Sequence, residues 1–422
     1  MNNLSLYIHI PFCIKKCNYC DFLSAACDEE TKEKYVDTLC FEITQRAKQF
    51  KDRKVDTIFF GGGTPSVLSV RQSSKIMNTI RREFCILQEA EISMELNPGT
   101  VNREKLETYQ KLGINRLSIG LQSADNEELK VLGRIHTWEV FLQTWNMVRE
   151  TGFDNVNIDL MSALPGQTLK SYEHTLKKVL ALKPEHISAY SLIIEEGTKF
   201  YEWFGEESES GTAKKEEPEH PTLLKDKDIQ EVNKIQKQSV EMRNIEIKSK
   251  KLPDEMTDRQ MYEMTRELLE EHGFYRYEIS NYALKGYECK HNIGYWRRKE
   301  YLGLGLGAAS LISNVRSSNI NDLTEYMKSG QSVEKTETIK SVLLSVQEQM
   351  EEFMFLGLRM MEGISSEEFK NQFGVSLQEV YGKQISKLEK QGLLKFCEET
   401  DRYALTLQGI DVSNQVFVEF IE

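Results

Sequence analysis

No run of eighteen apolar residues occurs in the 422-residue chain, so no membrane-spanning helix is expected. Basic charge is also in short supply: 54 Lys and Arg face 66 Asp and Glu, leaving a net charge of −12. A chain of that sign is not drawn to phosphate backbones, and no nucleic-acid partner is expected. No disulfide framework can be read either. Cys27, Cys40, Cys85, Cys289 and Cys397 are scattered singly and read as free thiols of a reducing compartment. Phosphate-loop chemistry is missing: Gly61-Gly62-Gly63 is not followed by Gly-Lys-Ser/Thr, and no G-x-G-x-x-G opens a helix. The strand-like segment Leu4–Ile10 begins at once and leaves no room for a signal or transit peptide. A cytoplasmic location is therefore expected.

What is present starts with the three remaining cysteines. Cys13, Cys17 and Cys20 stand in the spacing C-x3-C-x2-C directly after the first strand-like segment. Three thiolates on one short loop can hold three corners of a [4Fe–4S] cube and leave the fourth iron open. Clusters held by four cysteines carry electrons instead. The alternative metal is zinc, with His9 or Cys27 as the fourth ligand. Structural zinc sites usually pair two C-x2-C knuckles or add histidines at fixed offsets, and this loop does neither.

The length suits two or three domains. Up to about residue 205, short apolar strands alternate with amphipathic helices. Strands are expected at 4–10, 55–60, 91–96, 116–121, 155–161 and 186–194, and helices at 31–50, 69–84, 102–112, 138–151 and 169–182. Such repetition implies parallel strands with right-handed crossovers. Six strands make an α/β incomplete (β/α)6 barrel, short of the full eight. The polar and glycine-rich motifs all fall at or past strand ends, the rim where such barrels place their chemistry. Residues 206–251 are charged, poor in apolar residues and expected to lie outside the core. Residues 252–331 extend the barrel, and alternating Gly303, Gly305 and Gly307 imply backbone packed close to a ligand or another element. Residues 332–422 read as helices at 337–360, 365–373 and 377–391, followed by a hairpin at 393–406. That is a winged-helix-like α+β plan, here too weakly basic in its third helix to favour DNA.

The cysteine loop resembles the signature of the radical SAM superfamily. The wider order of motifs is similar to one family within it, that of the oxygen-independent coproporphyrinogen III oxidases and a haem-chaperone branch. These motifs are Tyr19 before the last cysteine, Gly-Gly-Gly-Thr-Pro, Glu95-Leu96-Asn97-Pro98-Gly99-Thr100, Gly-Leu-Gln122-Ser, Gly133-Arg134-Ile135-His136, Asp159-Leu160-Met161, Leu164-Pro165-Gly166-Gln167-Thr168 and Tyr277-Glu278-Ile279-Ser280-Asn281-Tyr282. The resemblance implies a [4Fe–4S] cluster on Cys13, Cys17 and Cys20. It also implies S-adenosylmethionine (SAM) chelated to the open iron and cleaved by an electron to give an adenosyl radical. SAM would be met by Tyr7, Tyr19, Gly62, Gly63 and Thr64, and by Glu95, Gln122, Arg134 and Asp159 at successive strand ends.

Two features choose within the family. The oxidase pattern has a fourth cysteine two residues after the third; here Phe22 stands there. The chaperone branch carries His-Asn-x-x-Tyr-Trp, found here as His291-Asn292-Ile293-Gly294-Tyr295-Trp296. The resemblance then implies haem ligated by His291, with His136 next in line. Aromatic rings would cover the porphyrin and Arg297, Arg298 and Lys299 would face its propionates. The expected partners are haem, haem-acceptor proteins and a reductant protein for the cluster, with any membrane contact made through partners. The competing readings are a coproporphyrinogen dehydrogenase and a pure electron-transfer protein.

Overall fold

The computed structural model describes residues 3–205, 244–329 and 340–421. Six strands run parallel in chain order: β1 (Leu4–Ile10), β2 (Lys54–Gly62), β3 (Cys85–Leu96), β4 (Arg116–Gln122), β5 (Val156–Ser162) and β6 (His186–Ser191). Between them lie α1 (Glu29–Ala47), α2 (Val70–Glu83), α3 (Arg103–Lys111), α4 (Asn126–Val131), α5 (Trp138–Thr151) and α6 (Leu169–Leu180). Side-chain caps fix where the helices start. Asp28, Asn102 and Thr137 each accept a backbone N–H of the first turn, and Ser69–Gln72 and Thr168–Ser171 form capping boxes.

The strands alternate, with register shifts on β2 near Val55–Thr57 and on β4 near Gly120–Gln122. On β1, Leu4, Leu6, Ile8 and Ile10 are fully buried in the main core, which leaves Ser5, Tyr7 and His9 for the opposite, inward face. The inward face carries polar side chains from every strand, beside Phe59 and Met161. Register places Ser93 beside Arg116, Glu95 beside Ser118, Gly120 beside Asp159 and Asn157 beside His186. This barrel is therefore hollow where a packed one would carry stacked aliphatic layers.

The sheet stays open, as a six-stranded partial barrel should, and is lengthened at both edges to twelve strands. β6 pairs with β8 (Asn281–Ala283), and β8 with β7 (Tyr275–Glu278). β1 takes β9 (Tyr301–Leu304) as a parallel neighbour, followed by antiparallel β10 (Ala309–Ile312), β11 (Val315–Ser318) and β12 (Lys340–Leu343). The glycines here serve packing between elements. A Cβ on Gly305 (φ 104°) would lie 2.6 Å from the Tyr35 hydroxyl and 2.7 Å from the His9 carbonyl.

At the C-terminal end, helices Val346–Gly357, Ser366–Phe373 and Leu377–Lys390 pack around Met354, Phe369 and Ile385. A three-stranded sheet completes the winged-helix plan, built from β13 (Ile364–Ser365), β14 (Leu394–Cys397) and β15 (Arg402–Leu405). The helix expected from residue 337 starts later, at Val346. Ser345 and Glu348 form its capping box, and Lys340–Leu343 before it pairs with β11 instead. Residues 206–243 of the expected insertion lie outside the described residues. Its last residues are not detached: Ile247 is buried among Leu132, Leu164 and Phe200, and Gly166 N–H donates to the Lys251 carbonyl at 2.8 Å. No helix among the described residues is long and apolar enough to cross a membrane.

Candidate cluster and cofactor site

The cysteine loop leaves β1 and is tied down at both ends. Cys13 N–H donates to the Ala25 carbonyl (3.0 Å), Asn18 N–H to the Leu132 carbonyl (3.0 Å), and Asn18 Nδ2 to the Val131 carbonyl (2.9 Å). Gly133, at φ 74°, lets the chain pass so close that a Cβ there would touch the Asn18 amide at 2.9 Å. The loop therefore holds Cys13, Cys17 and Cys20 half-buried over the mouth of the barrel, on the wall of a cavity of about 460 Å³. Burial and the neighbouring thiols push the Cys20 thiol up to about 11. Two donors reach the sulfurs. The Thr64 hydroxyl lies 3.4 Å from Cys13 Sγ, and Arg134 Nη1 lies 3.6 Å from Cys17 Sγ.

Beside the loop, the glycine turn is pressed against β1 and the residues that follow it. A Cβ on Gly62 (φ 107°) would strike the His9 ring at 2.4 Å, and one on Gly63 would meet the Phe12 carbonyl at 2.7 Å. Gly62 N–H donates to Glu95 Oε2 at 3.2 Å. Burial and the charge of Asp159 raise the Glu95 carboxyl to about 8. Asp159 is also raised by burial, against hydrogen bonds from Asn157 and Ser118. Gln122 sits in the left-handed region (φ 74°) and its Oε1 has no partner. A non-glycine residue held there is a strained position of the kind found at ligand sites. Arg134 spans the mouth. It donates from Nη2 to Asn97 Oδ1 (2.7 Å) and to the Gly120 carbonyl, while its buried Nε has no partner.

Of the residues expected at a cofactor site, the cavity gathers Tyr19, Gly62, Gly63, Thr64, Glu95, Gln122, Arg134 and Asp159 beside the three cysteines. Tyr7 is placed differently. Its hydroxyl donates to His9 Nδ1 (3.1 Å), and it lines a neighbouring cleft. His9 also donates from Nε2 to the Leu23 carbonyl (2.9 Å), so neither ring nitrogen is left for zinc. Among the described residues, no group of three or more His, Cys, Asp or Glu side chains is arranged to hold a metal ion. Thiols spread around a cavity suit a cube better than one zinc, whose four bonds of about 2.3 Å draw sulfurs tightly together.

His291 differs from the expectation of a free ligand. It is 1% exposed, with Nδ1 2.8 Å from Thr57 Oγ1 and Nε2 2.9 Å from the Tyr295 hydroxyl. Its ring stacks on Phe59 at 5.2 Å. Burial, Lys299 and Arg116 lower it to about 3, so it is neutral. The cations meant for propionates are already paired: Arg297 with Glu362 (2.5 Å), Arg298 with Glu352 (2.7 Å) and Lys299 with Asp56. His136 is buried and lowered to about 3 by burial and Arg134.

The motif's aromatics do face open space. Tyr295 and Trp296 line a second cleft of about 470 Å³, with Tyr7, Tyr301 and Leu311 from the sheet and Phe355 from helix Val346–Gly357. Phe59 lines the cluster cavity and stacks on His291, which bonds to Tyr295 of the second cleft. Sequence reading missed Asn97, Arg116, Ser118, Asn157, Ser188 and Tyr190 on the cluster cavity. Period-two alternation along β4 to β6 was a signal that could have found the last five.

Comparison with known proteins agrees with this architecture. Residues 7–179 match the family described as the Radical SAM superfamily, and residues 344–412 match the HemN C-terminal domain. The chain is 33% identical over 417 residues to the heme chaperone HemW of Lactococcus lactis, covering 99% of this chain and 97% of that one. It is 34% identical to the heme chaperone HemW of Bacillus subtilis, covering 99% of each. The solved structure of Escherichia coli coproporphyrinogen III oxidase superposes with a TM-score of 0.78 at 23% identity, over 99% of this chain and 90% of that one. With a three-cysteine loop over an open parallel sheet and full-length likeness of this order, the chain belongs to the radical SAM superfamily and, within it, to the HemW family.

Proposed function

We propose that this chain is a cytoplasmic haem chaperone: it binds haem and passes it to acceptor proteins. It would carry a [4Fe–4S] cluster on Cys13, Cys17 and Cys20, reduced by a separate protein, and SAM in the cavity beneath. The residues fit both groups. Three thiols share one loop and one cavity with donors to two of the sulfurs, and Gln122 Oε1 and Arg134 Nε are buried without partners. Once bound, cluster and SAM supply one-electron reductive chemistry at the sulfonium. The chain's own part is to hold the thiols, brace Cys17 through Arg134, and keep bulk water out of the barrel.

The observation that carries the haem reading is the aromatic cleft beside His291. Its size suits a large flat ligand, and its walls are mostly rings and aliphatic side chains, with the ion pair of Arg316 and Glu352 at one side. The cleft fits the porphyrin face; His291, as it stands, does not fit the iron. Ligation through Nε2 requires Tyr295 to let go. Tyr295 is thus a latch, and haem entry is coupled to its release.

The test adds haemin to the reconstituted chain and follows its absorption bands. Tight 1:1 binding that is lost in His291→Ala with the cluster intact supports the reading. The reduced protein with SAM and coproporphyrinogen III, kept free of oxygen, should give no vinyl-bearing product. Turnover there would restore the oxidase, and unchanged haem spectra in His291→Ala would move the ligand elsewhere.

A further inference from the structure

Arg116 opens β4 at the bottom of the hollow barrel and is 2% exposed. It lines the cluster cavity. Among the described residues no hydrogen bond or ion pair satisfies its guanidinium, and its Nε is completely enclosed. Three acids share the barrel interior, yet each is engaged elsewhere. Glu91 accepts the backbone N–H groups of Lys290 (2.9 Å) and His291 (3.1 Å). Asp159 accepts from Ser118 (3.2 Å) and Asn157 (2.7 Å), and Glu95 from Gly62 N–H (3.2 Å). Asn157 Oδ1 is likewise taken, by His186 (2.6 Å) and Ser188 (3.1 Å). A guanidinium taken out of water needs an anion and planar acceptors. The carboxylates of Glu91 and Asp159 supply nearby charge, but neither gives the guanidinium a hydrogen bond, and the cavity supplies room.

We infer that the lower part of this cavity is a carboxylate-binding subsite, with Arg116 as its anchor and Asn281 as a second polar group on the cavity wall. Asn281 is 8% exposed, lines the same cavity and carries an Oδ1 without a partner. The ligand is a second molecule, distinct from SAM. β4 rises about 3.3 Å per residue, so the Arg116 and Gln122 backbones are about 20 Å apart along the strand, with the guanidinium reaching up toward Asp159. The cysteine loop, where the methionine carboxylate of SAM belongs, lies at the Gln122 end. A carboxylate in the lower part is the head of a small acid or one arm of a larger one, such as a porphyrin propionate. The subsite does not rest on the haem reading, because its geometry would be the same for either source.

The test uses the full chain, reconstituted without oxygen and saturated with SAM. The first probe is carboxyl-13C propionate, followed by NMR line broadening. Wild type should broaden the signal saturably, with methyl propionate failing to compete. Arg116→Gln should abolish the effect, and Arg116→Lys, which keeps the buried charge and protects the fold, should weaken it at least about tenfold because ammonium cannot bind a carboxylate bidentately. No saturable broadening by wild type, equal binding by the lysine variant, or broadening that appears only when SAM is left out would each overturn the proposal. The second probe is haemin against its dimethyl ester. A preference for the free acid that disappears in Arg116→Lys identifies a propionate arm. Equal binding of acid and ester, with propionate still bound, identifies a small acid. Failure of haemin to bind at all would sink the chaperone reading and leave the propionate result standing.

Discussion

Replacing Tyr295 by Phe should make haem bind more tightly. In the tautomer with its proton on Nδ1, His291 donates to Thr57 and accepts from Tyr295 at Nε2, the nitrogen an iron would need. Wild type must break that bond before ligation. In Tyr295→Phe the nitrogen is orphaned in a buried site from the start, and iron restores a partner to it. Leaving a buried acceptor unpaired costs about 1–3 kcal/mol, equivalent to about a 5- to 150-fold lower Kd. The ring stays, so the contacts to His291 (4.9 Å) and Tyr301 (4.6 Å) should persist. Haemin titration followed by absorbance gives the Kd, and stopped flow gives the on-rate, which should rise with it. Equal or weaker binding in Tyr295→Phe, with His291→Ala still impaired, would refute the latch.

Serine at Cys13, Cys17 or Cys20 should remove the cluster absorbance and most bound iron, measured after anaerobic reconstitution. Glu95→Gln should flatten the pH dependence of stability in the cluster-free chain. A carboxyl raised to about 8 holds its proton when folded, so its contribution is full at low pH and is lost as pH climbs from about 5 to 8, by up to about 4–5 kcal/mol; urea midpoints across that window report it. Phe355→Ala should weaken haem binding several-fold and leave iron content unchanged, since Phe355 lines the aromatic cleft and not the cluster cavity. Gly305→Ala should destabilise the chain by more than about 2 kcal/mol in chemical denaturation, because a Cβ at φ 104° meets both Tyr35 and His9.

The barrel was legible because each parallel strand is a short apolar run and each helix starts at a capping side chain. β1, for example, matches its expected bounds of 4–10. The cysteine loop and the strand-end residues were legible because spacing and strand position suffice to collect them on one rim. His291 was not. Its partners Thr57 and Phe59 lie more than 200 residues away in the chain, and local sequence cannot say that both nitrogens will be engaged. Tyr7 lines the neighbouring cleft, and its pairing partner Gly303 on β9 is too distant in the chain for local sequence to relate the two. Lys340–Leu343 looked helical beside a helix but is held by β11 across the sheet edge.

β1 lies in the middle of the finished sheet, and its two neighbours are made at very different times. β2 follows within the first 62 residues, whereas β9 ends at Leu304, about 240 residues later. At about 5–20 residues per second, the second edge of β1 waits about 12–50 s on the ribosome. All that time it shows free N–H and C=O groups along the inner edge of an Ile- and Leu-rich strand, a template for wrong pairing. The partial barrel is thus an obligate unfinished intermediate of synthesis. A chain cut short before Tyr301 should aggregate even though the cysteine loop and all six parallel strands are complete.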